Sequence, residues 1–233
     1  MQPIGISGNS TMKQSQHPSS LLGLCIAVLA LSACSDLRSG ASAASPEAAP
    51  ARGGRILATP LADGRTAEGG FVDSFMFAEK PGDVAINPAS FSSGAARVTG
   101  AIEPRHGSTW GGIALSTSLL RGSRVVDLAS ARTLAISLAS TGSDTLRVRL
   151  VGPNVALRDS GCYPVAVVRV VPELKEYAVP IASFVPEPYC SASAPSGGLV
   201  AATLTSVEVA DAAVTPGRRR QVDFTVGVIR ATP

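Results

Sequence analysis

Few residues in this chain are equipped for chemistry. There are two histidines, His17 and His106, and four cysteines, Cys25, Cys34, Cys162 and Cys190. No histidine pair stands at zinc-ligand spacing and no Gly-x-Ser-x-Gly elbow occurs, so neither a histidine zinc site nor that type of serine hydrolase is indicated. His106 lies in Arg105-His106-Gly107-Ser108, a loop composition, and reads as a surface histidine rather than a general base. Asp73, Glu103, Asp127, Asp159 and Glu208 could supply the two carboxylates of a glycosidase, but nothing in the spacing pairs them, and no catalytic residue is assigned. Recognition is better served. Trp110 beside Gly111-Gly112 is either a platform for a sugar face or a core tryptophan. Arg147 and Arg149 alternate with Leu146, Val148 and Leu150, so both leave the same strand face, joined by Arg169 from another strand. Such arginines either hydrogen-bond sugar hydroxyls or a carboxylate, or form a solvated face.

The amino-terminal region supplies an address. Met12-Lys13, a polar stretch to Ser20, an apolar run from Leu21 to Leu31 and small residues before Cys34 are the parts of a secretory signal, with Met12 the favoured start. The apolar run of about eleven residues is too short to span a bilayer as a helix, which takes about twenty. Leu31-Ser32-Ala33-Cys34 resembles the lipobox of bacterial lipoproteins; an ordinary leader with an incidental cysteine is the other reading. The resemblance implies lipidation of Cys34, cleavage before it and attachment to a membrane through the acyl chains, each contributing roughly 0.8 kcal/mol per buried methylene. Ser35 in place of an aspartate favours the outer membrane of the cell envelope.

Leader removal takes Cys25 away and lipid occupies Cys34, which leaves Cys162 and Cys190 in an oxidising compartment, where a disulfide is expected. Closing that loop of about twenty-nine residues is worth roughly 3 to 4 kcal/mol in the chain-entropy model. The formal net charge is only +3. The single basic run, Arg218-Arg219-Arg220, follows the turn signal Thr215-Pro216-Gly217 and reads as a solvated hairpin tip ahead of an anion or lipid-headgroup site. An exported protein without a basic face is not a partner for nucleic acid.

These side chains need elements to position them. The organisation is a signal peptide over 1–33, a lipid-anchored flexible tether over 34–55, poor in apolar periodicity, and a β-sandwich domain over 56–233. Period-two alternation recurs in Thr133 to Leu138, Leu146 to Leu150, Val165 to Val171, Glu176 to Ile181, Leu204 to Val209 and Val222 to Ile229. Glycine and proline clusters such as Gly152-Pro153-Asn154, Pro186-Glu187-Pro188 and Pro195-Ser196-Gly197-Gly198 punctuate these runs. The pattern predicts an all-β fold, an antiparallel sandwich or jelly roll. Val179, Ile181 and Phe184 are expected in the core, with Pro180 tolerable only at an edge or bulge. In the last strand Phe224, Val226 and Val228 are expected to share one face.

The order Trp110-Gly111-Gly112-Ile113-Ala114-Leu115, Val126 to Leu134, Leu146 to Leu150, Glu176 to Phe184, Ser206 to Val209 and Asp223 to Ile229 resembles the galactose-binding-like jelly roll. Within that group it is similar to family-11 carbohydrate-binding modules and complex I intermediate-associated proteins. The resemblance implies a non-catalytic binding domain on a membrane-anchored lipoprotein, with a glycan as ligand. The alternative it implies is a protein-interaction or assembly role in an envelope complex, which the sparse aromatic content favours. No catalytic cofactor is expected. Jelly rolls of this type often hold a structural calcium, for which Asp73 and Asp223 are the candidates.

Overall fold

A computed structural model of the chain describes residues 53–120, 124–213 and 218–233. The leader, Cys34 and the tether through residue 52 lie outside the described residues. Two antiparallel sheets form a sandwich. One comprises β1 (Arg55–Ala58), β3 (Val84–Ile86), β4 (Ser90–Ser92), β5 (Ala95–Ile102), β7 (Thr133–Ser140), β10 (Lys175–Pro180) and β12 (Arg220–Thr232). Its main path runs β10-β7-β12-β5-β3, with β1 on β12 and β4 on β5. The other comprises β2 (Phe71–Ala78), β6 (Gly111–Ser118), β8 (Thr145–Val151), β9 (Val165–Arg169) and β11 (Ser206–Ala213), in the order β2-β6-β11-β8-β9.

Alternation explains both faces of each sheet. Ile113 and Leu115, Leu146, Val148 and Leu150, and Val207 and Val209 are at most 1% exposed and meet Leu134, Ile136, Leu138 and Phe224 of the facing sheet. The residues between them point away from the core. Val179, Ile181 and Phe184 are buried, and Pro180 sits on β10, an edge strand where its missing N–H breaks no ladder.

Three local features depart from the sequence reading. Val228 does not share the face of Phe224 and Val226: the pairing of β12 with β7 shifts between Val226 and Ile229, and beyond that bulge Ile229 and Ala231 point inward instead. Two short helices that the alternation does not indicate are present: α1 (Val155–Asp159) directly follows the Gly152-Pro153-Asn154 cluster and α2 (Gly197–Ala201) starts within Pro195-Ser196-Gly197-Gly198. Asn154 caps α1 by accepting from the Leu157 amide at 3.2 Å. The arginine run is not a hairpin tip, because β11 and β12 belong to different sheets. Arg220 there pairs with the buried Asp211 of β11, and Arg219 Nε lies 2.7 Å from Glu103.

Candidate ligand-binding groove

The outer face of the five-stranded sheet is built in rows that the strand register fixes. Phe75, Ala114, Ala210, Arg147 and Val167 lie in one row across β2, β6, β11, β8 and β9. Asp73, Ser116, Glu208, Arg149 and Val165 form the next, and Phe77, Gly112 and Ala212 another. Strands about 4.8 Å apart place β2 roughly 14 Å from β8. Between Phe75 and Phe77 on one side and Arg147 on the other stand only glycine and alanine, so the sheet carries a trough. Its volume is about 930 Å³.

The first wall is aromatic. Phe75 and Phe77 alternate onto the same face of β2, with ring centroids 6.3 Å apart, and Trp110 continues the row 6.5 Å from Phe77. Trp110 is 49% exposed and is not a core residue. Gly112 allows this arrangement, because a Cβ there would lie 2.5 Å from the Phe77 ring. The loop leading to Trp110 is clamped from beneath. Asp83, 1% exposed, accepts from the His106 and Ser108 amides at 2.8 and 2.9 Å and contacts His106 Nδ1 at 2.8 Å. Burial opposes ionisation of Asp83, but these hydrogen bonds outweigh it and hold the carboxyl well below the usual carboxylate range. Glu79 accepts from both the amide and the hydroxyl of Thr109 at 2.7 Å, which lowers its own pKa.

The second wall is polar and rises from outside the sheet. Arg158 to Gly161, at the end of α1, faces Glu187, Pro188 and Tyr189 from the segment after β10. The Cys162–Cys190 disulfide joins the two stretches, with Cα atoms 5.6 Å apart. Tyr189 is 67% exposed, and its hydroxyl donates to the Gly161 carbonyl at 3.3 Å. Gly161 has φ +71°, a conformation that favours glycine, and a Cβ there would crowd that hydroxyl at 3.0 Å. Tyr163, by contrast, packs inward at 2% exposure, with its hydroxyl bonded to the backbone of Asn154.

Each guanidinium lining the groove has a carboxylate partner. Arg147 pairs with Glu187, Arg149 Nη1 lies 3.3 Å from Glu208 Oε2, and Arg158 Nε lies 3.8 Å from Asp159. Burial pushes the Glu208 carboxyl up, with Arg149 opposing. Burial, and then the neighbouring charge of Arg149, pull the Arg147 pKa down. Such a surface offers donors and acceptors side by side with little net charge, which suits hydroxyl groups.

Trp110, Arg147 and Arg149 therefore line one groove, whereas Arg169 does not. It shares their face, opposite Thr145, but lies beyond the groove lining. Asp73 and Asp223 are not brought together. Asp73 lies on the outer face of the five-stranded sheet, and Asp223 lies on the outer face of the other, about 10 Å or more away through the core. Asp223 is held by Arg97, which donates from Nε and Nη2 at 2.7 Å each, and by the Thr141 hydroxyl at 2.8 Å. Among the described residues no group of three or more His, Cys, Asp or Glu could hold a metal. Phe75, Phe77, Glu187 and Tyr189 escape the sequence reading. The even spacing of Phe71, Phe75 and Phe77 is the signal that places those rings on one face.

No protein-family model and no curated protein matches this chain. Among solved structures it is similar to the family 11 carbohydrate-binding module of the cellulosomal cellulase Lic26A-Cel5E of Clostridium thermocellum, at 15% identity and TM-score 0.48, covering 77% of this chain and 94% of that one. It is also similar to a Clostridium thermocellum family 11 module in complex with a β-1,3-1,4-mixed-linked tetrasaccharide, at 16% identity and TM-score 0.43, covering 77% and 97%. A family 30 module of a cellulosomal cellulase from the same organism gives 14% identity and TM-score 0.40, covering 76% and 95%.

Proposed function

We propose that this chain presents a non-catalytic carbohydrate-binding domain whose ligand is a neutral polysaccharide segment lying in the groove. The observation that carries this reading is the opposition of two walls across a floor of glycine and alanine. Phe75, Phe77 and Trp110 offer apolar faces for sugar rings. The Arg147–Glu187 and Arg149–Glu208 pairs offer fixed donors and acceptors for hydroxyls. Binding without catalysis is supported by the same pairs, because Glu187 and Glu208 are each engaged by a guanidinium. His106 is committed to Asp83, outside the groove lining.

The Leu-Ser-Ala-Cys motif supports attachment of this domain to the cell envelope through lipid on Cys34, and Ser35 after it supports the outer membrane. Metabolic labelling with a fatty-acid analogue tests that part: wild type takes up label and Cys34→Ser does not. The carbohydrate reading is tested by affinity electrophoresis in gels holding soluble neutral β-glucans, galactans or polyuronates. Retardation in a neutral glycan supports it. Free migration in every gel removes it and leaves the protein-interaction role.

A further inference from the structure

The groove's second wall is made by a segment with little else to hold it. From Pro186 to Ser196 no side chain belongs to the hydrophobic core. Among the described residues, its backbone ties to the sandwich occur only at its two ends, at the Val165–Val185 bridge and at the bond from the Gly197 amide to the Phe184 carbonyl, 3.0 Å. In between, three links hold it: the Arg147–Glu187 ion pair, the Tyr189–Gly161 hydrogen bond and the Cys162–Cys190 bridge. The Tyr189 hydrogen bond is a single contact of an exposed side chain, and the Arg147–Glu187 pair, 26% and 14% exposed, fixes the segment at one point only, so the bridge is its one covalent tie.

The geometry points to Cys162–Cys190 as the positioning crosslink of the binding groove, which makes ligand affinity dependent on redox state while the sandwich stays folded. The inference deepens the carbohydrate-binding reading and rests on it. A dithiol reductant delivers two electrons and two protons to the bridge; the S–S bond breaks, Cys162 and Cys190 become thiols, and the reductant leaves as its own disulfide. Glu187 and Tyr189 are then free to leave the groove, Arg147 loses a preorganised partner, and the ligand must order the segment before using it. The aromatic wall, on β2 and at Trp110, stays in place. Cys162, 9% exposed, sits at the margin of the core and Cys190 lies outside it, whereas Tyr163 between the bridge and β9 is packed within the core cluster.

The test titrates the full-length protein with a soluble neutral β-glucan, oxidised and after dithiothreitol, with Trp110 fluorescence as the readout. Cys162→Ser/Cys190→Ser and oxidised Tyr189→Ala are titrated in parallel, and hydrogen exchange is followed over 186–196. The expected result is binding about tenfold weaker in the reduced protein and in the double serine variant. Tyr189→Ala is also weakened, exchange rises within 186–196 alone, and far-ultraviolet dichroism is unchanged. Equal affinity in both redox states, with both thiols shown to be free, overturns the inference and spares the carbohydrate reading. If reduction unfolds the domain, undiminished binding by oxidised Tyr189→Ala overturns it. Should no glycan bind the oxidised protein, the carbohydrate reading fails first. Unchanged exchange over 186–196 then removes the positioning role as well.

Discussion

Arg149 and Glu208 stand directly opposite each other on β8 and β11, with Nη1 3.3 Å from Oε2 and side chains only 24% and 11% exposed. A mostly buried ion pair is costly to break one-sidedly, because the remaining charge loses both water and partner. Glu208→Gln leaves the guanidinium without its counter-charge. The expected outcome is weaker binding of neutral glycan and new, salt-sensitive binding of a polyuronate, read by calorimetry at two ionic strengths. Wild type, with its groove charges paired, should show little salt dependence.

The aromatic wall should affect binding far more than folding. Trp110→Ala removes a half-exposed ring, so its unfolding midpoint in urea should move little, while glycan affinity falls about tenfold for the loss of one stacking surface. Phe77→Ala should give a similar loss and remove the neighbour against which the Trp110 ring rests.

Asp211 gives a pH signature. It is 1% exposed and points into the sandwich, where burial, opposed by Arg220, pushes its pKa up to about 6 from an ordinary 3.8. The folded protein thus holds this proton more tightly than the unfolded chain. Its contribution is most favourable below the unfolded value and is lost as pH rises through about 6. For this group alone, stability at pH 7 should be about 1 kcal/mol below that at pH 5. Denaturant melts of wild type and Asp211→Asn at both values check this: the variant should lack that difference, and identical pH profiles would contradict it.

Asp83 positions Trp110 from below. Because the His106 and Ser108 amides and His106 Nδ1 converge on its carboxylate, Asp83→Asn turns an acceptor-only group into one that presents N–H to N–H. The 104–109 loop should loosen, shifting Trp110 emission to longer wavelength and weakening glycan binding severalfold. The emission reads one site, since Trp110 is the chain's single tryptophan.

Alternation made much of this architecture legible, and the reasons it failed elsewhere are local. Arg147 and Arg149 could be placed on one open face because Leu146, Val148 and Leu150 between them are uniformly apolar. Phe75 and Phe77 were hidden because β2 is an edge strand whose two faces are both partly exposed, so Met76 between them, 51% exposed, gives no polar contrast. Glu187 and Tyr189 lie in a proline-marked segment that reads as punctuation, and their place in the groove follows from a bridge across 28 residues rather than from local spacing. Arg169 has the right parity and the wrong distance along β9, which alternation does not distinguish. Val228 was misplaced because one extra residue at a bulge reverses every later side chain. Arg220 reads in sequence as part of a solvated run, and its pairing with the buried Asp211 joins strands of different sheets, which local spacing does not show.

Ligand placement in the trough over Ala114 and Ala210 is tested by isothermal titration of oxidised wild type and Ala210→Leu with the same soluble neutral polysaccharide. Ala210 faces the groove from the middle of the floor, so a leucine there fills the trough without entering the core. Wild type should bind, and Ala210→Leu should lose at least about tenfold in affinity at unchanged thermal stability. Equal affinity of the two proteins would contradict it.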